Sequence, residues 1–326
     1  MESMDNFRER FEALEQQTEQ LKHETQALKA HTRTIERRLR WWRGIACGVV
    51  LLGLVSMPLP SGTAQDESGK SLAQRVVALE YKLKYVSGGP NEVVITGANL
   101  RIVNGLGATD TTNGVGNLIV GYNEPGPRPE TIRTGSHNVV VGRFHNFSSF
   151  GGLVVGQNNV ISGRFSSVSG GDGNEASGDG ASISGGGGNG ASGGASWVAG
   201  GNSNVASGDF SSITGGSATA ARGRFASISG GSGNVASGDF SSITGGSENT
   251  ASGQNASVSG GENNTAGGDF SSVSGGEQNT ASGRDSSVSG GEFNTASGEG
   301  SSVSGGINRS APGQHNWAAG ALFSDN

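Results

Sequence analysis

Cysteine, aromatic side chains and charge are all scarce in this chain of 326 residues, and each scarcity removes a class of protein. The one cysteine, Cys47, lies in an apolar run, so there is no disulfide framework and the redox compartment stays open. Gly44-Ile45-Ala46 before it makes a poor lipobox, and the apolar run follows the cysteine instead of preceding it. Aromatics are 6% of the chain, too few large side chains for a globular core of this length. The net charge is −6, which argues against nucleic acid as a partner. His137, His145 and His315 stand isolated, without metal-ligand spacing, and read as satisfied surface histidines. Asp172, Asp179, Asp209, Asp239 and Asp269 fall near glycines, but the nine-residue period of a calcium roll is missing. The glycines from Gly185 to Gly188 lack the Lys and the following helix that a phosphate loop needs. No cluster of acids or bases suits a polysaccharide-cleaving solenoid, and serine prevails over irregularly spaced threonine where an ice-binding face would need order. The chain therefore reads as a non-enzyme, without cofactor or metal.

What is abundant is glycine, 60 residues, well above the roughly 7% of ordinary usage. Either part of the chain is disordered, or its interior is built from small residues that stack.

The amino-terminal part reads differently. Phe7, Leu14, Leu21, Leu28 and Ile35 recur every seven residues, each followed four positions later by Phe11, Thr18, Thr25, Thr32 or Leu39. This pattern predicts a cytoplasmic coiled coil over residues 1–40, weakened by its threonines, with a solvated single helix as the alternative. Arg37, Arg38, Arg40 and Arg43 then flank Trp41-Trp42 and an apolar run that ends at Pro60. Arginines before an interfacial tryptophan pair predict a transmembrane signal-anchor over 41–60, with the N-terminus inside and everything beyond it exported. The run is short for a span, and Gly62-Thr63-Ala64 could be a signal-peptidase site, so a cleaved, secreted form is the alternative. A linker over 61–71 follows. Leu72, Val76, Leu79, Leu83 and Val86 then predict a coiled-coil neck over 72–87.

From residue 92 to 152 the pattern turns to β. Val93–Thr96, Leu100–Val103, Leu118–Gly121 and Val139–Gly142 are short β-branched runs, interrupted by a proline-rich loop from Glu124 to Arg133. Over 153–326 a repeat takes over. Val168, Ile183, Val198, Ile213, Ile228, Ile243, Val258, Val273, Val288 and Val303 are spaced by 15 residues without a slip, and Leu153 and Ala318 continue the series. Eight residues after each stands alanine, as at Ala176, Ala206, Ala236, Ala251, Ala281 and Ala296. Two before the alanine stands asparagine: Asn174, Asn189, Asn204, Asn234, Asn249, Asn264, Asn279 and Asn294. Disorder puts no constraint on phase, yet this phase never drifts.

Ser-Val-Ser and Asn-Thr-Ala-Ser alternate as strands do, so Val and Ala form a core ladder. Gly-Gly and Ser-Gly mark two corners, where positive φ is expected. Each coil is then two short strands and two turns, rising about 4.8 Å, with asparagines in register forming a side-chain ladder. One Val and one Ala cannot offset the entropy of ordering a coil, so stacking is obligatory and packing of rolls side by side favours an oligomer.

Ser-x-Val-Ser-Gly-Gly and Asn-x-Ala-Ser-Gly coils, exported beside a coiled-coil neck, resemble the YadA-like heads of trimeric autotransporter adhesins. The resemblance covers about residues 93–320. It implies an all-β solenoid, a left-handed parallel β-roll of 15-residue coils, preceded by helical coiled coil and one membrane helix. It also implies a homotrimer, bacterial origin and adhesion to an extracellular-matrix protein, glycan or cell-surface ligand. Those adhesins place the head before the stalk and end in a membrane barrel. Here the coiled coils come first and no amphipathic strands follow the last coil, so the N-terminal anchor is expected to replace the barrel. The head would be periplasmic or on the cell surface. The other functional reading is a structural spacer of the envelope without a dedicated ligand.

Phe165, Phe210, Phe225, Phe240 and Phe270 each stand three residues before a core position. Phe210, Phe225 and Phe240 fall on consecutive coils and are expected to stack into an apolar stripe, an interface or adhesive patch. Rings packed over their own corner are the alternative.

Overall fold

The computed structural model describes residues 71–126 and 130–320. The expected coiled coil of 1–40, the apolar span of 41–60 with its flank Arg37, Arg38, Arg40 and Arg43, and the linker to residue 70 lie outside the described residues. Among the described residues, no helix is long and apolar enough to cross a membrane. The chain divides into two units between Asn99 and Leu100.

In the first unit, Ser71 starts helix α1 (Leu72–Leu83) with a capping box. The Gln74 amide donates to Ser71 Oγ at 3.3 Å, and the Ser71 amide donates to Gln74 Oε1 at 3.0 Å. The helix is shorter than the expected neck of 72–87. Gly88-Gly89-Pro90 disfavours further helix, and the chain instead forms a hairpin of β1 (Val86–Ser87) with β2 (Val94–Ile95), pairing Val86 with Ile95. Val86 is thus a strand residue, not a seam position. Leu72, Val76, Leu79 and Leu83 are all exposed in the single chain.

The second unit is a parallel β-solenoid. One sheet stacks fourteen strands from β3 (Leu118–Val120) to Trp317–Ala318, and the other stacks twelve from Asn146–Phe147 to Ser310–Ala311. Val168, Ile183 and Val198 pair in register, as do Ala176, Ala191 and Ala206. These two rows are buried at 0–1% exposure through Val303 and Ala311. Leu100–Val103 forms no strand. There the Asn104 side chain closes a turn, its Nδ2 donating to the Thr111 carbonyl at 3.0 Å and its Oδ1 accepting from the Leu106 amide at 3.0 Å.

The phase at the amino-terminal end also differs from expectation. Val154 pairs with both Val140 and Val168 and is fully buried, while Leu153 lies beside the row. The first coils have 14 residues because a single glycine, Gly142 or Gly156, stands where later coils have Gly-Gly. The strands Val139–Arg143 and Leu153–Gln157 run straight through that glycine.

A third interior row follows from strand alternation. Two residues before each core position stand Ser166, Ala181, Ser196, Ser211, Ala226, Ser241, Ala256, Ser271, Ser286 and Ser301, all buried. Ser166 Oγ donates to the Gly163 carbonyl at 2.8 Å. The other hydroxyls of the row have no partner, and alanine alternates with them, so packing and not hydrogen bonding is their contribution.

The asparagines form an internal ladder. Except at Asn234, which follows Thr219, the amide of each donates to Oδ1 of the asparagine one coil earlier, as from Asn249 to Asn234 at 2.9 Å and from Asn264 to Asn249 at 3.0 Å. Nδ2 donates to two corner carbonyls, for Asn249 those of Gly245 at 3.1 Å and Gly261 at 2.9 Å. Asn174, Asn189, Asn204, Asn279 and Asn294 repeat the scheme. Thr219 substitutes once, its amide and hydroxyl both donating to Asn204 Oδ1. Near the start of the ladder His145 takes an asparagine's place. It is 1% exposed, not a surface residue, because its ring closes the same corner. Its Nδ1 accepts from the Asn159 amide at 3.2 Å, which leaves the proton on Nε2 to donate to the Val141 carbonyl at 3.1 Å.

The corners divide their work differently from expectation. The second glycine of Gly-Gly has φ of 83° to 104° from Gly171 to Gly306. The glycine of Ser-Gly is not left-handed. It is required because a Cβ there would meet the next coil's glycine carbonyl oxygen at 2.0–2.1 Å, from Gly163 to Gly298. At that corner the left-handed residue comes two positions later, and it is often phenylalanine.

Candidate functional site: an aromatic corner row

Phe165, Phe210, Phe225, Phe240 and Phe270 occupy that left-handed position with φ of 57° to 60°. Other coils place Gly180, Ala195, Asn255, Asp285, Gly300 or His315 there. A bulky residue at positive φ carries a cost of about 1–2 kcal/mol. The backbone holds it in place: the Phe210, Phe225 and Phe240 amides donate to carbonyls of the preceding coil at 2.8–2.9 Å. Phe210 stacks on Phe225 with centroids 4.9 Å apart and planes at 10°, and Phe225 on Phe240 at 5.0 Å and 14°. Two such contacts, about 0.5–1.5 kcal/mol each, offset only part of the strain of three residues. The rings also stay 39–51% exposed, so the single roll gains little apolar burial from them. Phe165 packs edge-on against Phe150 at 5.3 Å, and Phe270 stands apart across the Asn255 coil.

The residue before each ring carries a second pattern. Gly-Asp-Phe-Ser-Ser recurs at 208–212, 238–242 and 268–272, a spacing of two coils, and Gly-Arg-Phe stands at 163–165 and 223–225. Asp209, Asp239 and Asp269 each use Oδ1 to accept from the amide one coil earlier, of Gly194, Arg224 and Gln254, at 2.8–2.9 Å. Asp179 does the same for Arg164, and the two side chains also pair, Arg164 Nε donating to Asp179 Oδ2 at 2.8 Å. The Arg164 hydrogen bonds hold the Asp179 carboxyl below its usual range. Arg224 behaves otherwise: its guanidinium lies 4.8 Å from the Phe225 ring centroid. These acids and Arg224 were not singled out as a set from the sequence, although the two-coil spacing was there to be read.

One face of the solenoid is plain. From Ser212 and Thr214 to Ser302 and Ser304, the two outward rows of one sheet hold only Ser and Thr. Among the described residues no group of three or more His, Cys, Asp and Glu could hold a metal ion. An open depression is lined by Arg101, Asn104, Thr109 and His137. There His137 Nε2 already accepts from the Asn104 amide at 3.2 Å, and Nδ1 lies 3.0 Å from the Thr109 carbonyl. No protein-family model matches the chain, and no curated protein matches it.

Proposed function

We propose that this chain is a non-catalytic, membrane-tethered protein of a bacterial envelope that displays its β-solenoid as an adhesive head. In this reading residues 41–60 anchor it, the heptads of 1–40 and the exposed face of α1 assemble it as a homotrimer, and the head is exported. The observation that carries the adhesive part is the row Phe210, Phe225 and Phe240: half-exposed rings held at positive φ, where glycine or asparagine would fit the corner with less strain. Such residues favour a surface that something else covers. The ligand would be a matrix protein, a glycan or another cell-surface molecule.

The plain Ser/Thr face favours the second reading, a spacer that holds distance without a ligand. The full chain with Phe210, Phe225 and Phe240 all changed to Ser separates the two. Adhesion predicts weaker binding to cells, matrix proteins or glycans with the β signal in circular dichroism intact. Binding that survives the triple change, or a wild-type chain that binds nothing, leaves the spacer. Protease shaving of intact cells, with antibodies to both ends, tests display separately.

A further inference from the structure

The charges beside the rings identify a partner. Along the corner, Asp209, Arg224 and Asp239 stand on consecutive coils, each preceding one ring of the stack. The two acids use Oδ1 within the roll, for the amides of Gly194 and Arg224, and both are exposed, with Oδ2 outside those bonds. Arg224 is exposed. It has an acid on each neighbouring coil, yet it forms no ion pair among the described residues. Arg164, one acid to its side, pairs within the roll. The row from Asp209 to Asp239 is therefore an apolar stack edged by charges in the order minus, plus, minus, with the central plus unpaired.

That order decides which copies fit together. Two rolls laid parallel and in register would set Arg224 against Arg224 and each acid against itself, which repulsion disfavours. A copy running antiparallel, with the two-fold axis midway between the Phe210 and Phe225 coils, sets Asp209 against Arg224 twice over and ring edge against ring edge. Because the coils repeat at about 4.8 Å in both copies, the flanking coils fall into register as well, with Asp239 and Phe240 opposite the Gly194-Ala195 coil of the other copy. A two-fold contact of this kind is closed and self-complementary.

We propose that the Phe210–Phe225–Phe240 row is a homophilic docking face that pairs antiparallel with the same row of a second copy. This rests on the reading of the row as a binding surface and names its partner. It also places the row outside the seam of any parallel, in-register trimer, since three copies of Arg224 would converge there.

Charge reversal tests the pairing on the full chain, with two separately purified preparations carrying different tags. Wild type should capture wild type, less well as salt rises. Arg224→Asp makes the row all acidic, and Asp209→Arg with Asp239→Arg makes it all basic. Each should capture itself at least about tenfold more weakly than wild type does. The acidic and basic variants mixed should capture each other. The Arg224 side chain makes no hydrogen bond within the roll, so Arg224→Asp keeps the fold, as circular dichroism would verify. The proposal is overturned if wild type does not capture itself, if folded Arg224→Asp captures itself as wild type does, or if the mixture restores nothing. Loss of target binding in the triple Phe→Ser chain, with self-capture indifferent to charge reversal, would keep the adhesive reading and remove this one.

Discussion

The first coils and the later array solve the same packing problem with different residues. Between Val140 and Val168 the coils have 14 residues, and the interior holds Phe147, Phe150, Ile161 and the His145 ring. From Val168 onward they have 15, and Ala176 and its successors take the row that Phe147 and Ile161 began. Large side chains fill the first coils, as in an ordinary core. The array keeps one buried Val or Ile per coil and fills its other inward rows with alanine, serine and asparagine, so glycine carbonyls in close approach and the asparagine ladder add a larger share of its cohesion. A core built from backbone contact tolerates little variation in atom count, which explains why the inward residues are uniform along the array and varied in the first coils.

The largest effect should come from adding one methyl group to the array. Gly253→Ala puts a Cβ 2.0 Å from the Gly268 carbonyl oxygen, and neighbouring coils must part. We expect a loss above about 4 kcal/mol, seen as rapid amide exchange over coils 238–283. Gly245→Ala, whose Cβ meets nothing within 4 Å, should change stability by less than about 0.5 kcal/mol. Equal losses at the two sites would break the distinction.

Asn249→Ala comes next. It removes the acceptor for the Asn264 amide and the donor to the Gly245 and Gly261 carbonyls. The Asn264 amide and the Gly245 carbonyl lose their partner inside the roll, while the Gly261 carbonyl keeps the Ser247 amide at 2.9 Å, and about 2 kcal/mol or more should be lost on thermal or denaturant unfolding. A loss below about 1 kcal/mol would mean that the ladder is incidental to cohesion.

The smallest effect is specific to the first coils. Burial pushes the His145 imidazole below its ordinary value of 6.5, and the nearby Arg133 charge acts in the same direction. Protonating Nδ1 would also turn it from acceptor to donor against the Asn159 amide. The unfolded chain takes up a proton that the folded chain resists. Stability is therefore level above the unfolded value and falls as pH drops below it, by at most about 1.4 kcal/mol per pH unit. Hydrogen exchange at pH 7.5 and 5.5 should show residues 132–161 loosening while the array does not. A His145→Asn chain should lose the difference. Array coils loosening equally at pH 5.5 would assign the effect to another group.

Much of the architecture was legible from residues in phase. Val168 to Val303 and Asn174 to Asn294 carry their positions in a fixed period, and only a stacked solenoid gives such a period meaning. Other elements were not legible, for identifiable reasons. Val86 satisfies a heptad spacing and pairs in a hairpin, because heptad spacing says nothing of the Gly-Gly-Pro that follows. Leu153 satisfies the 15-residue count, but a single-glycine corner shifts the true row to Val154. His145 looks isolated along the chain and is enclosed by Val141 and Asn159. Of the candidate site, the stacking register of the rings could be read directly, since one ring per coil places them one rise apart.

The sequence by itself determined the period and the Val/Ile, Ala and Asn rows of the repeat, because a repeat of small residues has few ways to satisfy its backbone. The tertiary structure alone decided which corner glycine is left-handed, since both are Gly on paper and both lie against the next coil's glycine carbonyl, and only the backbone path through each corner separates them. It also decided that the phenylalanines stand at strained corners with their rings half in solvent. The fold around a left-handed residue, not the residue type, sets the direction of its side chain. For the same reason the charge order Asp209, Arg224, Asp239 becomes a surface only once the coils are stacked.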